Sequence, residues 1–438
     1  MWLLNTTTHE LRMFTGNEVP TYAILSHTWG ADEVTFQDIR DLTHARTKAG
    51  FSKIQGCCQK ALRHGIEWAW IDSCCIDKSS SAELSEAINS MYSYYLLSRI
   101  CLIYLADVPP LASPRHRGDI PSLAASRWFT RGWTLQELIA PRRAVFYASD
   151  WSRLGTKGIR SDEGPFLTAV ARITGIYESI LDKTRQPRNY SVAERMTWAA
   201  ARQATRPEDL AYCLMGLFGV YMPVLYGEGL LHAFRRLQHE IIRTSPDETI
   251  FAWRADPAEE VVDPHTLQAR RRAEGSSGLL ATSPADFARS VNVHQIVLNS
   301  RFSMRLFGIT NLGLSLSADL MPLLPVDTAY RDSFRHDPPR ISNTLFVMPI
   351  GASDVPEPNV PHCRVGIYLA PVREVDSGRS EPSTVYRRVK CDQFCFIVER
   401  DGDIPQLEPK TIYVLEDNQF AEMEWRYSRA SYISEYTL

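Results

Sequence analysis

Two short segments of the sequence carry side chains that could act together on a charged sugar. The first is a run of polar, aromatic and small residues: Ser26, His27, Thr28, Trp29 and Gly30. Its glycine would let the backbone approach a ligand closely. The second segment contains Trp133 and Glu137, whose four-residue spacing puts both side chains on one face of a helix. A carboxylate beside an aromatic ring suits a cationic or oxocarbenium-like centre, so this pair predicts chemistry at such a centre.

A parallel sheet would bring the two segments together. Strand-like runs alternate with helix-like stripes in the first 155 residues, with strands at 22–26, 67–72, 99–106 and 144–147 and helices at 51–62, 84–95 and 128–139. This alternation predicts a doubly wound α/β domain, in which ligands bind beyond the carboxyl ends of the strands where the winding reverses. The loop after the first strand and the helix after the third meet at that point. Asp72, at the end of the second strand, is a further candidate for binding.

The rest of the chain divides into a helical part and a β-rich part. Residues 160–253 show helical patterns, and residues 257–280 are charged and linker-like. Short apolar runs then alternate with turn residues, at 344–347, 364–368, 394–398 and 411–414. We therefore predict an α/β domain over 1–155, a helical region over 156–256 and a β-rich domain over 280–438.

Composition and charge exclude several classes of function. Hydrophobic residues make up 44% of the 438 residues, which is typical of a globular protein. Lys and Arg total 48 against 51 Asp and Glu, a net charge of -3, so no overall basic field would hold nucleic acid. The first residues lack a secretory pattern, and the most apolar run, 100–106, is far shorter than the roughly 20 residues that span a bilayer. We expect a cytoplasmic protein without a membrane partner.

The sequence shows no pattern for a resident cofactor or a structural metal. Its nine cysteines include the adjacent pairs 57–58 and 74–75, which suit reduced, buried thiols. Cys391 and Cys395 have no second Cys/His pair to complete a zinc site. Gly-x-Gly-x-x-Gly and Walker sequences are missing, so neither redox use of a dinucleotide nor phosphoryl transfer is expected.

Four blocks of the sequence resemble those of the fungal heterokaryon-incompatibility (HET) domain. They are Tyr22–Gly30 (YAILSHTWG), Trp70–Asp77 (WIDSCCID), Glu83–Met91 and Arg127–Leu138 (RWFTRGWTLQEL). Two later stretches, Leu210–Gly229 and Ala233–Trp253, are similar to the helical region that often follows such domains. The resemblance implies a trigger of regulated cell death when genetically different hyphae fuse, acting with an incompatibility partner protein.

The order of the blocks also resembles, more distantly, Toll/interleukin-1-receptor (TIR) domains, in which a Trp-x-x-x-Glu-Leu helix follows the third strand. This resemblance implies a TIR/flavodoxin-like parallel sheet. Several TIR domains cleave NAD with the glutamate of that helix, which implies NAD+ as a substrate and Glu137 as the catalytic residue. The first segment, with Asp72 and Trp133, would then bind the substrate. Related TIR sites are often completed by a neighbouring protomer, which implies a homo-oligomer on activation.

Plainer interpretations remain open for every candidate: a solvated carboxylate, a packing histidine or a core aromatic. The loop with Arg115, His116 and Arg117 could fold over a pyrophosphate or be a solvated loop. For the whole chain, the alternative to an enzyme is a non-enzymatic signalling or assembly module that recruits a death partner. A third possibility is a metabolic nucleotide hydrolase that works as a monomer.

Overall fold

The computed structural model describes four long stretches, 1–111, 121–158, 164–255 and 276–291, and nine short segments: 293–294, 307–310, 313–318, 320–322, 346–353, 363–375, 383–389, 395–398 and 410–415. The chain groups into two compact units, Met1–Asn189 with Ala201–Leu237, and Tyr190–Ala200 with Gln238–Leu438. The predicted domain boundaries, at 155, 256 and 280, are not tested by this grouping and stay predictions. Residues 115–117, Cys391, the side chain of Cys395 and most of the predicted linker lie outside the described residues.

A seven-stranded sheet organises the first unit. Its strands are β1 (Trp2–Asn5), β2 (Leu11–Met13), β3 (Tyr22–His27), β4 (Trp68–Trp70), β5 (Ile100–Tyr104), β6 (Arg143–Tyr147) and β7 (Arg153–Gly158), in the order β2-β1-β4-β3-β5-β6-β7. The four predicted strands form the parallel centre, so the α/β assignment is confirmed. The sheet is mixed rather than purely parallel as predicted, because β1, β2 and β7 pair antiparallel. The strands β1 and β2 are only four and three residues long, and β7 contains two glycines, so none of them shows the longer apolar run of a buried strand.

Both units also contain helices. In chain order they are α1 (Leu42–Ala45), α2 (Phe51–Arg63), α3 (Ser81–Leu97), α4 (Pro121–Ala124), α5 (Thr134–Ile139), α6 (Gly164–Thr174), α7 (Glu178–Leu181), α8 (Val192–Thr197), α9 (Asp209–Tyr212), α10 (Met215–Phe218) and α11 (Gly229–Thr244). Short 3-10 helices add Gly16–Glu18, Asp38–Arg40, Arg127–Thr130, Pro187–Asn189, Glu248–Phe251 and Pro284–Phe287. The helices α2 and α3 fulfil the predictions for 51–62 and 84–95.

The strand order determines where a ligand would approach the sheet. The chain moves from β3 to β4 on one side and then returns past β3 to β5 and β6 on the other. With right-handed crossovers, α2 covers one face of the sheet while α3 and α5 cover the opposite face. The contact between α3 and α5 agrees with this arrangement. The winding therefore reverses between β3 and β5, and ligands bind beyond the carboxyl ends of such strands in sheets of this kind.

The predicted helix over 128–139 is interrupted in the structure. Its first part is the 3-10 helix Arg127–Thr130, and α5 begins only at Thr134. The backbone between them pairs with a distant segment, because Gln203 donates to the Thr130 carbonyl at 2.7 Å and Gly132 donates to the Gln203 carbonyl at 2.8 Å. A pairing with a remote segment cannot be read from local periodicity, which is why this part of the prediction was wrong.

A glycine in the middle of α2 marks a tight contact with the β6–β7 turn. A Cβ atom added at Gly56 would lie 2.2 Å from the indole ring of Trp151. We expect Gly56→Ala to lower the free energy of unfolding by about 2 kcal/mol, because the overlap outweighs the gain in helix propensity. Urea denaturation checks this, with Gln55→Ala, an exposed neighbour, as the control. If Gly56→Ala and Gln55→Ala were equally stable, the contact between Gly56 and Trp151 would not be tight.

A separate sheet forms most of the second unit, as predicted for the C-terminal part. Its ten strands are Ser276–Ser277, Val293–His294, Phe307–Thr310, Gly313–Ala318, Met321–Pro322, Phe346–Ser353, Cys363–Val375, Ser383–Val389, Cys395–Val398 and Lys410–Val414. Arg388 is fully buried in this unit and donates hydrogen bonds to the carbonyl oxygens of Phe251 and Trp253. Within the parts of the chain that the structure covers, no helix has the length and apolar character needed to cross a membrane.

Candidate active site

Glu137 lies on α5 and reaches the carboxyl end of β3. The residue is only 6% exposed, and its Oε2 atom accepts a 2.5 Å hydrogen bond from the hydroxyl of Ser26. The Ser26 oxygen in turn accepts a 2.8 Å hydrogen bond from Nε1 of Trp128. The fold therefore holds a carboxyl group beside the first parallel strand, at the point where the winding of the sheet reverses.

Burial controls the charge of Glu137. Removal from water raises the pKa of Glu137, and the negative charge of Asp72 raises it further. Hydrogen bonds from Ser26 and Tyr95 and the charge of Arg202 lower it only in part, so the pKa settles at about 8. At neutral pH the group is mostly the uncharged acid. A carboxyl group whose pKa lies near the working pH can change its charge when a charged ligand arrives.

The groups around Glu137 form a buried hydrogen-bonded set. Tyr95 donates its one hydroxyl proton to the carbonyl of Leu25, at 2.9 Å. Tyr95 also lies within hydrogen-bond reach of Glu137. Ser26 receives a proton from Trp128 and gives its own to Glu137. Ser26 thus uses both its donor and an acceptor site within this buried set.

A second cluster lies at the carboxyl ends of β3 and β4. Nε2 of His27 lies 2.9 Å from one carboxylate oxygen of Asp72, and Nε1 of Trp29 donates to the other at 2.8 Å. The Lys78 ammonium lies 3.6 Å from the centroid of the Trp29 ring, whose residue is 43% exposed. Burial alone would raise the pKa of Asp72, but the hydrogen bond and charge of His27, with Lys78 and Trp29, lower it to about 2. Asp72 is therefore a fixed negative charge that orients His27 and Trp29.

Replacing Asp72 with Asn tests this electrostatic arrangement. The folded-state pKa of about 2 lies below the ordinary value of 3.8, so the ionised group contributes stability above pH 4 that is lost as the pH falls through 2. We expect Asp72→Asn to lower the free energy of unfolding by about 2 kcal/mol at pH 6. It should also lower the pKa of Glu137, because the Asp72 charge raises that value.

Urea denaturation between pH 2 and pH 6 measures the first effect, and the titration of Glu137 by NMR measures the second. The control is Glu18→Gln, which makes the same change from a carboxylate to an amide at an exposed position away from this loop. If the acid-induced loss of stability persisted in Asp72→Asn, the ionisation of Asp72 would not be its source.

Backbone contacts fix the loop after β3. The amide of Gly30 donates to Oε1 of Glu33 at 2.6 Å. Lys53 pairs with the same carboxylate, donates to the carbonyl of Thr28 at 3.0 Å and lies 3.5 Å from Nδ1 of His27. The structure thus holds Thr28 and Gly30 through their backbone atoms.

Trp133 directly precedes α5 and is engaged away from Glu137. Its indole hydrogen-bonds the carboxylate of Asp209 on α9. The structure therefore brings Ser26 to Glu137, and His27 and Trp29 to Asp72, but it ties Trp133 to a different partner. That these residues bind a substrate stays a prediction.

Sequence reasoning missed three members of the site. Arg202 is buried and donates to the carbonyl of Arg131 at 2.8 Å and to the hydroxyl of Thr134 at 3.0 Å. No local pattern indicated a role for Arg202, because it reaches the site only through the pairing of its neighbour Gln203 with residues 130–132, far away in the sequence. Tyr95 and Trp128 fell on predicted apolar stripes, which indicated burial but not the use of their polar atoms.

The described residues contain no group of His, Cys, Asp or Glu side chains arranged to hold a metal ion.

The site consists of two hydrogen-bonded clusters that share the carboxyl end of β3. One is a buried, uncharged acid, and the other is a partly exposed ion pair with an aromatic ring. The charge of Asp72 couples the two, because it raises the pKa of Glu137.

Comparison with known proteins places this site within a family match. Residues 22–122 match the family model described as heterokaryon incompatibility protein (HET), and residues 232–315 match a domain of unknown function, DUF8212. The chain is 42% identical over 230 residues to the vegetative incompatibility protein HET-E-1 of Podospora anserina. That alignment covers 51% of this chain and 16% of the relative's length. No solved structure matches the chain significantly. The HET match contains Ser26 and Asp72 but ends before Glu137.

Proposed function

This chain is a HET-domain protein, and we propose that it acts in fungal vegetative incompatibility by triggering cell death through hydrolysis of NAD+ at Glu137. The incompatibility role rests on the HET match and on the similarity to a protein named for vegetative incompatibility. The hydrolytic reaction rests on the chemistry of the site and on the more distant TIR resemblance.

One observation carries the enzymatic part of the proposal. Glu137 is a buried carboxyl group with a pKa raised to about 8, at the carboxyl end of the strand where the winding of the sheet reverses. Perturbed ionisable groups at such positions are frequent in active sites. If Glu137 only supplied hydrogen bonds to Ser26 and Tyr95, an uncharged side chain could supply them as well. A carboxyl group adds the ability to become negatively charged.

The reaction needs one negatively charged group. NAD+ carries a cationic nicotinamide, which leaves as a neutral molecule with the electron pair of the glycosidic bond. Water adds to the sugar carbon and loses a proton, so the products are nicotinamide, ADP-ribose and H+. Positive charge develops on the sugar in the transition state, and a carboxylate beside it lowers the barrier.

The energies favour ionisation of Glu137 when the substrate arrives. Ionising a group with a pKa of about 8 at pH 7 costs about 1.4 kcal/mol. The attraction between the carboxylate and a cation about 4 Å away stabilises the ionised form by about 4 kcal/mol at an effective dielectric constant of 20. The second quantity exceeds the first, so the approach of the nicotinamide cation converts the resting acid into the carboxylate that the reaction uses.

The resting site is closed, which fits activation by self-association. Glu137 is 6% exposed, and Ser26 beside it is fully buried. NAD+ can reach the carboxyl group only after a local movement at the ends of β3 and β4. Assembly of several protomers would supply the free energy for that movement, and Trp29, half-exposed beside Asp72, would then be available to stack on the substrate.

A second function is favoured by the same burial. The hydrogen bonds of Glu137 with Ser26 and Tyr95 are all internal, as they would be if the group only stabilised the fold. In that case the HET domain would be an assembly module that recruits a death partner. This second function predicts no nicotinamide release in any oligomeric state.

The experiment that separates the two functions compares the full chain as a monomer and as a fusion to an oligomerising domain. Each is incubated with NAD+, and nicotinamide is quantified by chromatography. We expect product from the oligomer and little from the monomer. Equal turnover by both forms would reject activation by assembly, and no product from either would reject the hydrolytic function.

A further inference from the structure

A basic cleft lies at the opposite end of the sheet from Glu137. It is a cavity of about 560 Å³ at the amino ends of β3, β5 and β6 and beside the loop before β4. Its charged lining consists of His64, Arg99, Arg142 and Arg143. This volume lies within the range of about 300–1,000 Å³ that small-molecule sites occupy.

The positive charges in the cleft have no countercharge. No Asp or Glu lines the cavity. Within the described part of the chain, Arg99, Arg142 and Arg143 form no ion pair with a carboxylate. Burial lowers the pKa of His64, and the charges of Arg143 and Lys60 lower it further. Cations that repel one another in one cavity would be stabilised by an anion placed between them.

The carboxyl ends of two helices explain only part of the concentration of positive charge in the cleft. The helices α2 and α3 end beside the cleft, and the partial negative charge at a helix carboxyl end attracts cations weakly. A hydrogen bond between an arginine and a charged phosphate is stronger than the attraction of one helix dipole. Three arginines line this cavity, one from the loop before β5 and two at or directly before the start of β6. An anion with several oxygen atoms could hydrogen-bond all three, and this interaction would be stronger than the attraction of the helix dipoles alone.

We propose that this cleft binds a phosphorylated ligand with at least two phosphate groups. The planar guanidinium groups of Arg99, Arg142 and Arg143 match the paired oxygens of phosphate. The rim is apolar, because Leu97 is 73% exposed and Leu96 is 38% exposed. The same phosphate chemistry could come from a soluble polyphosphate ester or from a phosphorylated lipid headgroup.

The test uses the full chain and tripolyphosphate as the soluble probe, with binding measured by calorimetry. The cleft variant is Arg99→Ser with Arg143→Ser. Its control is Arg46→Ser with Arg172→Ser, which removes the same charge from exposed positions elsewhere in the unit. We expect affinity to fall at least tenfold in the cleft variant and less than threefold in the control. Tripolyphosphate should also raise the pKa of His64, measured by NMR.

Vesicles distinguish the two sources of phosphate. One set contains phosphatidylcholine alone, and the other adds a phosphatidylinositol bisphosphate. Cleft-dependent binding to the second set, with weaker tripolyphosphate binding, identifies a lipid headgroup, and the reverse identifies a soluble ligand. Equal losses in the cleft and control variants would overturn the proposal, as would the absence of binding to both probes.

Discussion

Glu137→Gln is expected to reduce nicotinamide release by the oligomerised protein at least about 100-fold, the usual effect of removing one electrostatic stabiliser of a transition state. Glutamine can take the place of the protonated acid between Ser26 and Tyr95, because it offers both an acceptor and a donor there. It cannot become negatively charged when the nicotinamide cation arrives. The variant should therefore fold and assemble but fail to hydrolyse NAD+.

The matched control is Glu86→Gln, at an exposed position on α3 in the same unit. Circular dichroism and light scattering establish that both variants keep the fold and the oligomeric state. A rate for Glu137→Gln within a factor of three of the wild type would exclude Glu137 as the charged group of the reaction. The hydrolysis would then depend on a group other than Glu137.

The free energy of unfolding is expected to fall as the pH rises from 5 to 8. The pKa of Glu137 is about 8 in the folded state and 4.5 as its ordinary value, so the folded protein holds an extra proton between these pH values. Its contribution is fully present below pH 4.5 and is lost as the pH rises through 8. A shift of this size corresponds to about 5 kcal/mol.

Urea denaturation at pH 5, 6, 7 and 8 measures this loss, with Glu137→Gln as the comparison. The variant should have a flatter profile, because glutamine does not titrate. The window ends at pH 8 because burial and the charge of Arg142 lower the pKa of Lys183 to about 8, which produces the opposite slope above that pH. Parallel profiles for the two proteins would mean that Glu137 ionises in the fold as it does in water.

Local patterns predicted the centre of the first unit but not its edges. The apolar run of β3 and the stripe of α2 depend on neighbouring residues, so their periods are visible in the sequence. The edge strand β7, Arg153–Gly158, contains two glycines and depends on pairing with β6. The interruption before α5 depends on Gln203, far along the chain. Contacts with such remote segments leave no periodic signal.

The candidate site was predictable only in its residue types. The sequence placed Ser26 at a strand end and Glu137 on a helix, and the sheet brings these residues, 111 positions apart, within 2.5 Å. It gave no sign that Asp72 raises the pKa of Glu137, because that effect depends on distance and burial. It also paired Trp133 with Glu137, whereas the structure engages the indole with Asp209. Polar partners of a buried group follow from the assembled fold rather than from spacing.

Cellular NAD+ after induced expression of the full chain tests the central claim most directly. Wild type and Glu137→Gln are expressed to equal levels in fungal cells, and NAD+ and viability are followed together. We expect NAD+ to fall before viability in cells with the wild type, and neither to change with Glu137→Gln. Killing by Glu137→Gln at the wild-type rate, with NAD+ unchanged in both, would contradict the account.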